Sequence, residues 1–172
     1  WDEEVGTVRP EPVTRAALEA HEEYPKKRLL VHFVQPHMPF VRAPTTADKD
    51  RDAELSFWLR YQTGRTDLSA EDLWDAYVDN LDYVLPFVEE LLAGLGGKTV
   101  VTADHGDLFG ERTRPIPVRD WGHPRAVYAE PLVTVPWLTY ENGPRREIVS
   151  EPGPGFRPVS DPATVTDRLE AL

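Results

Sequence analysis

Apolar residues along this chain are gathered into three short runs and one long helical stripe. The runs lie within Arg28–Gln35, Lys98–Ala103 and Leu132–Tyr140, and their crowded Leu, Val and Phe residues are typical of strands buried in a parallel sheet. After Ser69, apolar residues recur at helical spacing as far as Leu92, which predicts an amphipathic helix. The pattern therefore predicts strands that alternate with helices.

The residues that start and stop these elements support the same order. Ser69 is followed three residues later by Asp72, which resembles a capping box, and glycines follow the end of the long helix. Shorter helices are predicted over 15–23, 54–61 and 164–172. A long loop is predicted over 107–127, and a Pro/Gly-rich connection over 150–163. We therefore predict a single α/β domain over residues 1–172, with a mostly parallel sheet flanked by helices.

Composition narrows the class of protein and its partners. The 172 residues carry a formal net charge of −11, which argues against nucleic-acid binding, and no apolar run reaches the ~18 residues of a membrane span. With no cysteine, a disulfide or a thiolate metal site is excluded. The acidic residues are dispersed and lysine occurs only at Lys26, Lys27, Lys49 and Lys98. This balance favours a halophilic, cytoplasmic protein over an ordinary acidic one, but it does not determine the compartment.

The sharpest chemical feature is the segment Asp104-His105-Gly106, directly after the second predicted strand. Open α/β sheets bind ligands where strands end, and a carboxylate beside an imidazole suits a divalent cation. Neighbouring residues on a strand point to opposite faces, and Gly106 would permit the bend that brings both side chains to one ion. The alternative interpretation is that Asp104 caps the turn that follows.

Three other histidines lie in or near the predicted strands. His37 follows the first strand between Pro36 and Pro39, so a rigid loop would present it to a substrate. His123 lies in a second constrained loop, Trp121-Gly122-His123-Pro124, before the third strand. His32 lies within the first strand, and we interpret it as a core histidine with satisfied hydrogen bonds rather than as a functional residue.

The order of these segments resembles that of the sulfatase/alkaline-phosphatase superfamily. The matching pieces are HFVQPHMPF, the helix YVDNLDYVLPFVEELL, TVVTADHGDLFGE, GHPRAVYAEPLVTVPWL and the terminal VTDRLEAL, which together span residues 28–172. The resemblance implies an alkaline-phosphatase-like fold. It also implies a sulfatase-like hydrolase or transferase that acts on sulfate or phosphate esters of a small molecule, a glycan or a lipid head group.

The resemblance also implies a role for each candidate residue. Asp104 and His105 match metal ligands, whereas His37 and His123 match positions that contact the transferred group or the leaving oxygen. One divalent ion, Ca, Mn or Zn, would neutralise developing charge and activate the nucleophile. The imidazole of His105 shifts the preference toward Mn²⁺ or Zn²⁺, since Ca²⁺ prefers oxygen ligands.

The sequence departs from the family pattern in the part that carries the nucleophile. No acidic pair followed by Cys, Ser or Thr comes after an N-terminal buried strand. We therefore expect that part of the fold to lie upstream of Trp1, and this chain alone to be inactive. Asp107 and Glu111 match no functional position and are interpreted as loop carboxylates. A second function stays open, namely an inactive domain of this fold that binds an anionic glycan or a protein partner.

Overall fold

The structure is a computed structural model that describes residues 1–43 and 57–150. The elements in chain order are α1 (Pro10–Glu23), α2 (Phe57–Gln62), α3 (Ala70–Gly94), β1 (Gly97–Thr102), β2 (Leu108–Arg112), β3 (Arg119–Gly122), α4 (Glu130–Val133) and β4 (Trp137–Asn142). The longest of them, α3, contacts α1, β2 and β4. It is therefore the scaffold on which the other elements are arranged.

Helix α3 begins where the sequence predicts. The Ser69 hydroxyl accepts a hydrogen bond from the Asp72 amide, and the Asp72 carboxylate accepts one from the Ser69 amide, each 3.0 Å long. This capping box satisfies two of the amide groups that the start of a helix leaves unpaired. The buried stripe starts at Leu73, but Leu81 and Leu85, which the apolar pattern assigned to it, are exposed.

Both sheets in the described part of the chain are antiparallel. β1 pairs with β4, with Gly97 opposite Asn142 and Thr102 opposite Trp137. β2 pairs with β3 as a hairpin. The prediction of a mostly parallel, alkaline-phosphatase-like α/β sheet is therefore wrong, because no pair of strands within residues 1–43 and 57–150 is parallel.

The apolar run Arg28–Gln35 accounts for much of this difference. We predicted it as the first strand, but it has no ladder partner among the described residues. Leu29, Val31 and Phe33 pack instead against a cluster of buried residues from α1 and the end of α3, while the residues between them are exposed. An alternating apolar run specifies which side chains are buried, but a strand also needs a hydrogen-bonded neighbour, which the run does not specify.

Two other predicted segments have a different structure. Residues 107–127 were expected to form a loop, but they contain the β2–β3 hairpin. The predicted strand Leu132–Tyr140 is divided, since α4 ends at Val133 and β4 begins after Pro136, which has no amide to donate to a ladder. The predicted strand Lys98–Ala103 is confirmed in position as β1, which spans Gly97–Thr102, but the prediction that it is buried is wrong, since its residues from Lys98 on are half-buried or exposed.

Some predictions concern residues outside the described ranges. The predicted helix over 54–61 is described only from Phe57, as part of α2. The predicted terminal helix over 164–172 lies outside the described residues, as does all but the first residue of the Pro/Gly-rich connection. Among the helices of residues 1–43 and 57–150, none has the length and apolar character needed to cross a membrane.

A cluster of aromatic side chains joins α2 and α3 to the hairpin. Its buried centre consists of Phe40, Phe57, Leu73 and Ala76. The ring of Phe109 on β2 packs edge-on against two rings of α3, with centroids 4.9 Å from Tyr77 and 5.1 Å from Trp74. Such edge-to-face pairs stabilise a contact beyond the apolar area that they bury. The cluster therefore fixes the hairpin relative to α3.

Candidate functional site

Three histidines that are distant in the sequence have adjacent imidazole rings. The ring centroid of His123 lies 4.4 Å from that of His105 and 5.4 Å from that of His37. A carboxylate oxygen of Asp104 lies 3.7 Å from Nε2 of His105. These four residues, which we call the histidine cluster, therefore form one continuous group.

Each of the three rings uses Nδ1 in a hydrogen bond to a nearby oxygen. The acceptors are the Met38 carbonyl for His37 at 2.6 Å, the Gly106 carbonyl for His105 at 3.0 Å, and the Asp107 carboxylate for His123 at 2.8 Å. A carbonyl or an ionised carboxylate can only accept a hydrogen bond, so Nδ1 carries a proton in each ring. Nε2 is then the nitrogen left to bind a cation or, when it is protonated too, to donate to an anion.

The loop that carries His37 is held by Asn80, which is buried in α3. The Asn80 side-chain amide donates to the carbonyl oxygens of Pro36 at 3.0 Å and His37 at 3.1 Å, and its oxygen accepts from the Val41 amide at 3.1 Å. A buried amide is costly unless it is hydrogen-bonded, and these contacts satisfy it. Asn80 therefore ties the His37 loop to the long helix.

The turn that carries Asp104 and His105 follows β1 and packs against α4. The Gly106 amide donates to the Leu132 carbonyl at 3.0 Å. A Cβ at Gly106 would lie 2.0 Å from the Pro131 carbonyl oxygen, so no other residue allows the turn to approach α4 this closely. The glycine is needed for contact with α4, a reason that the sequence pattern did not reveal.

The register of the β2–β3 hairpin places His123. Leu108 lies opposite Gly122 at the end of the ladder. Asp107 and His123 are the next residue on each side, so the same register brings them together. A Cβ at Gly122 would lie 2.7 Å from the Trp58 ring, so a glycine here lets α2 pack directly on the hairpin.

The local charges keep Asp104 ionised. Burial raises the pKa of this carboxyl, but His105, backbone amide hydrogen bonds and the nearby His32 together outweigh it and hold the pKa below its ordinary value. The Asp104 side chain is 74% exposed. It is therefore an accessible negative charge at neutral pH, as a cation ligand must be.

The donor atoms of the site fit a divalent cation. The Asp104 oxygen and His105 Nε2, 3.7 Å apart, lie within reach of one ion with metal–ligand bonds of about 2.0–2.2 Å. A second combination takes one donor atom each from His105, Asp107 and His123, which lie within 4.8 Å of one another. Imidazole nitrogen combined with carboxylate oxygen suits Mn²⁺ or Zn²⁺.

The function of this chain is inferred from the chemistry of the site and not from related proteins. No protein-family model, curated protein or solved structure matches this chain. The resemblance to the sulfatase/alkaline-phosphatase superfamily therefore stays a prediction from motif order, and the parallel sheet that it implied is not what the described residues form.

The structure brings together the four residues singled out in the sequence and adds two more. Asp107, interpreted as a loop carboxylate, bonds His123, and Asn80 holds the loop of His37. A polar residue within an apolar helical stripe is the signal that could have identified Asn80. The role of Asp107 depends on the hairpin register, which a segment predicted as a loop does not provide. His32, interpreted as a core histidine, is exposed.

Replacement of Asn80 by alanine is expected to destabilise the protein and to release the His37 loop. The substitution leaves one amide and two carbonyl groups without their partner, and each buried unsatisfied group costs about 1–3 kcal/mol. Urea unfolding should show a loss of at least about 2 kcal/mol, and the nuclear Overhauser effects between the His37 and His123 rings should disappear.

The matched control is Asp79→Ala, at the preceding position of the same helix. Among the described residues, the ion pair that Asp79 makes is with Arg42, half-exposed and 3.5 Å long, so its loss should cost less than about 1 kcal/mol. Equal stability of the two variants would show that Asn80 does not hold the loop.

Proposed function

We propose that this chain provides the cation-binding and anion-binding groups of a metal-dependent hydrolase or transferase that acts on sulfate or phosphate esters. The observation that supports this proposal is the arrangement of the histidine cluster. Three adjacent imidazoles all have Nδ1 tied to an oxygen, and an exposed, ionised carboxylate lies beside one of them. Within residues 1–43 and 57–150, the hydrogen bonds of these three rings use Nδ1, which leaves Nε2 to bind a ligand.

Asp104 and His105 are the residues that hold the cation in this proposal. The Gly106 carbonyl accepts from His105 Nδ1, which fixes the tautomer with a lone pair on Nε2, the form that binds metals. The Asp104 carboxylate, 3.7 Å from that nitrogen, adds a hard anionic donor. A bound cation would supply neutralisation of charge on the ester group and activation of a nucleophile.

His37 and His123 are the residues that contact the anionic group. A ring protonated on Nε2 can donate a hydrogen bond to an ester oxygen or pass a proton to the departing oxygen. Their Nδ1 hydrogen bonds orient the rings before substrate binds, so that less rotational freedom is lost on binding. With a net charge of −11, the chain repels anions overall, and these groups with the cation are needed to hold one.

The exposure of the cluster suits an ester group carried on a larger molecule. The side chains of His105 and His123 are 38% and 39% exposed, so the site is open to solvent. A sulfate or phosphate at the edge of a glycan or a lipid head group could reach these rings without entering a deep cavity. We therefore include such esters, with small-molecule esters, in the proposed substrate class.

The first prediction from this proposal concerns the affinity of the chain for a divalent cation. Isothermal titration of the metal-free protein with Mn²⁺ and Zn²⁺ should show one site per chain, and Asp104→Ala or His105→Ala should weaken it by at least about tenfold. Asp75→Ala, an exposed carboxylate on α3, is the control and should leave the affinity unchanged. Undiminished metal binding in both site variants would refute the assignment.

The second prediction concerns the affinity of the metal-loaded protein for anions. Inorganic phosphate and sulfate should bind the metal-loaded protein, and His37→Ala and His123→Ala should each weaken that binding by about 1.5–3 kcal/mol, the value of a hydrogen bond to a charged group. The free energies follow from competition titrations with and without Mn²⁺. Anion binding that is just as strong without metal would support an anion-binding domain in place of a hydrolase.

A further inference from the structure

We propose that Asp107 is a positioning residue for His123: it holds the imidazole by Nδ1 and so presents Nε2 to the anionic group of the substrate. This inference rests on the proposed function for the identity of the ligand. The hydrogen bond itself is a property of the fold and can be measured separately.

The backbone brings the two residues together independently of any ligand. Leu108 and Gly122 are paired across the hairpin, and Asp107 and His123 extend that pairing by one residue on each strand. Leu108 is fully buried, which anchors this end of the ladder. The Asp107–His123 contact is therefore set by strand register rather than by two flexible surface side chains that happen to meet.

The burial of the Asp107 side chain distinguishes it from an ordinary loop carboxylate. Its side chain is 7% exposed, compared with 74% for Asp104. Its charge also reaches the phenol of Tyr77 on α3, whose pKa is raised first by burial and then by Asp107. A carboxylate that is largely removed from water needs a hydrogen-bonded partner, and His123 at 2.8 Å provides one.

The same geometry argues against Asp107 as a cation ligand. The atoms Asp107 Oδ1 and His123 Nδ1 already share a proton at 2.8 Å, so an ion placed between them would have to displace it. The exposed Asp104 carboxylate accepts a hydrogen bond from the His105 amide through Oδ1, and its other oxygen, Oδ2, faces His105 Nε2 at 3.7 Å. In carboxylate–imidazole pairs of this kind, the carboxylate bonds one ring nitrogen and fixes the orientation of the ring, and the other ring nitrogen contacts the ligand.

The test compares Asp107→Asn with Asp107→Ala. The asparagine side-chain oxygen can still accept from Nδ1, whereas alanine removes the acceptor. In the 172-residue chain labelled with ¹⁵N-histidine, only five imidazoles contribute signals, and His123→Gln identifies the one of interest. At one fixed mildly alkaline pH, Nδ1 of His123 should carry the proton in the wild type and in Asp107→Asn, and should lose it in Asp107→Ala.

Binding of inorganic phosphate to the Mn²⁺-loaded protein gives the functional readout. Asp107→Ala should weaken phosphate binding by about 10–100-fold, as removal of such orienting partners does, and Asp107→Asn should restore it to within about threefold of the wild type. In a His123→Ala background, Asp107→Ala should have no further effect, because its action passes through His123. Thermal unfolding of each variant confirms that the comparison is made on folded protein.

Three results would overturn the inference. One is an unprotonated Nδ1 on His123 in the wild type, and another is an equal loss of phosphate binding in the asparagine and alanine variants. The third is a loss of Mn²⁺ affinity in Asp107→Asn as large as that in His105→Ala, which would make Asp107 a ligand. If the wild type binds no metal or phosphate, the proposed function fails, but the protonation of Nδ1 still decides whether Asp107 holds the ring.

Discussion

The hydrogen bond from Nδ1 of each clustered imidazole is the constraint on which the site depends. Without it, each ring could rotate or exchange tautomers, and three neighbouring histidines would have no common chemistry. With it, the hydrogen bonds that these three rings make within residues 1–43 and 57–150 use Nδ1 and leave Nε2 to bind a ligand, although the acceptors lie on two separate segments, at Met38 and at Gly106–Asp107. A cation or an anion bound as we propose would meet groups that are already oriented, which would reduce the entropy lost on binding.

Three separate structural devices deliver these rings to one place. The buried amide of Asn80 fixes the first loop on α3. The close approach of Gly106 to α4 fixes the second turn, and the pairing of Leu108 with Gly122 fixes the third. The aromatic cluster between α3 and the hairpin connects these devices. Because packing in such a core is dense, a substitution in the packed face of α3 should displace the imidazole rings.

The sequence predicted individual elements and candidate residues better than it predicted how the strands pair and which segments contact one another. The capping box at Ser69 and the strand at Lys98–Ala103 are local signals, and both agree with the structure. The direction of strand pairing is not local. Arg28–Gln35 shows the consequence, since alternate apolar side chains of this run pack on helices and it has no ladder partner among the described residues. Asn80 bonds a loop that is distant in the sequence, and Asp107 bonds His123 across a hairpin that the sequence did not predict. Residue type alone could therefore not assign a role to either residue.

The most direct test of this account is anomalous diffraction from crystals of the protein grown with Mn²⁺. The account predicts one anomalous peak within bonding distance of His105 Nε2 and the Asp104 carboxylate, with the Asp107–His123 hydrogen bond intact beside it. A peak bonded to Asp107 and His123 in its place, or no peak near the three imidazoles, would contradict it.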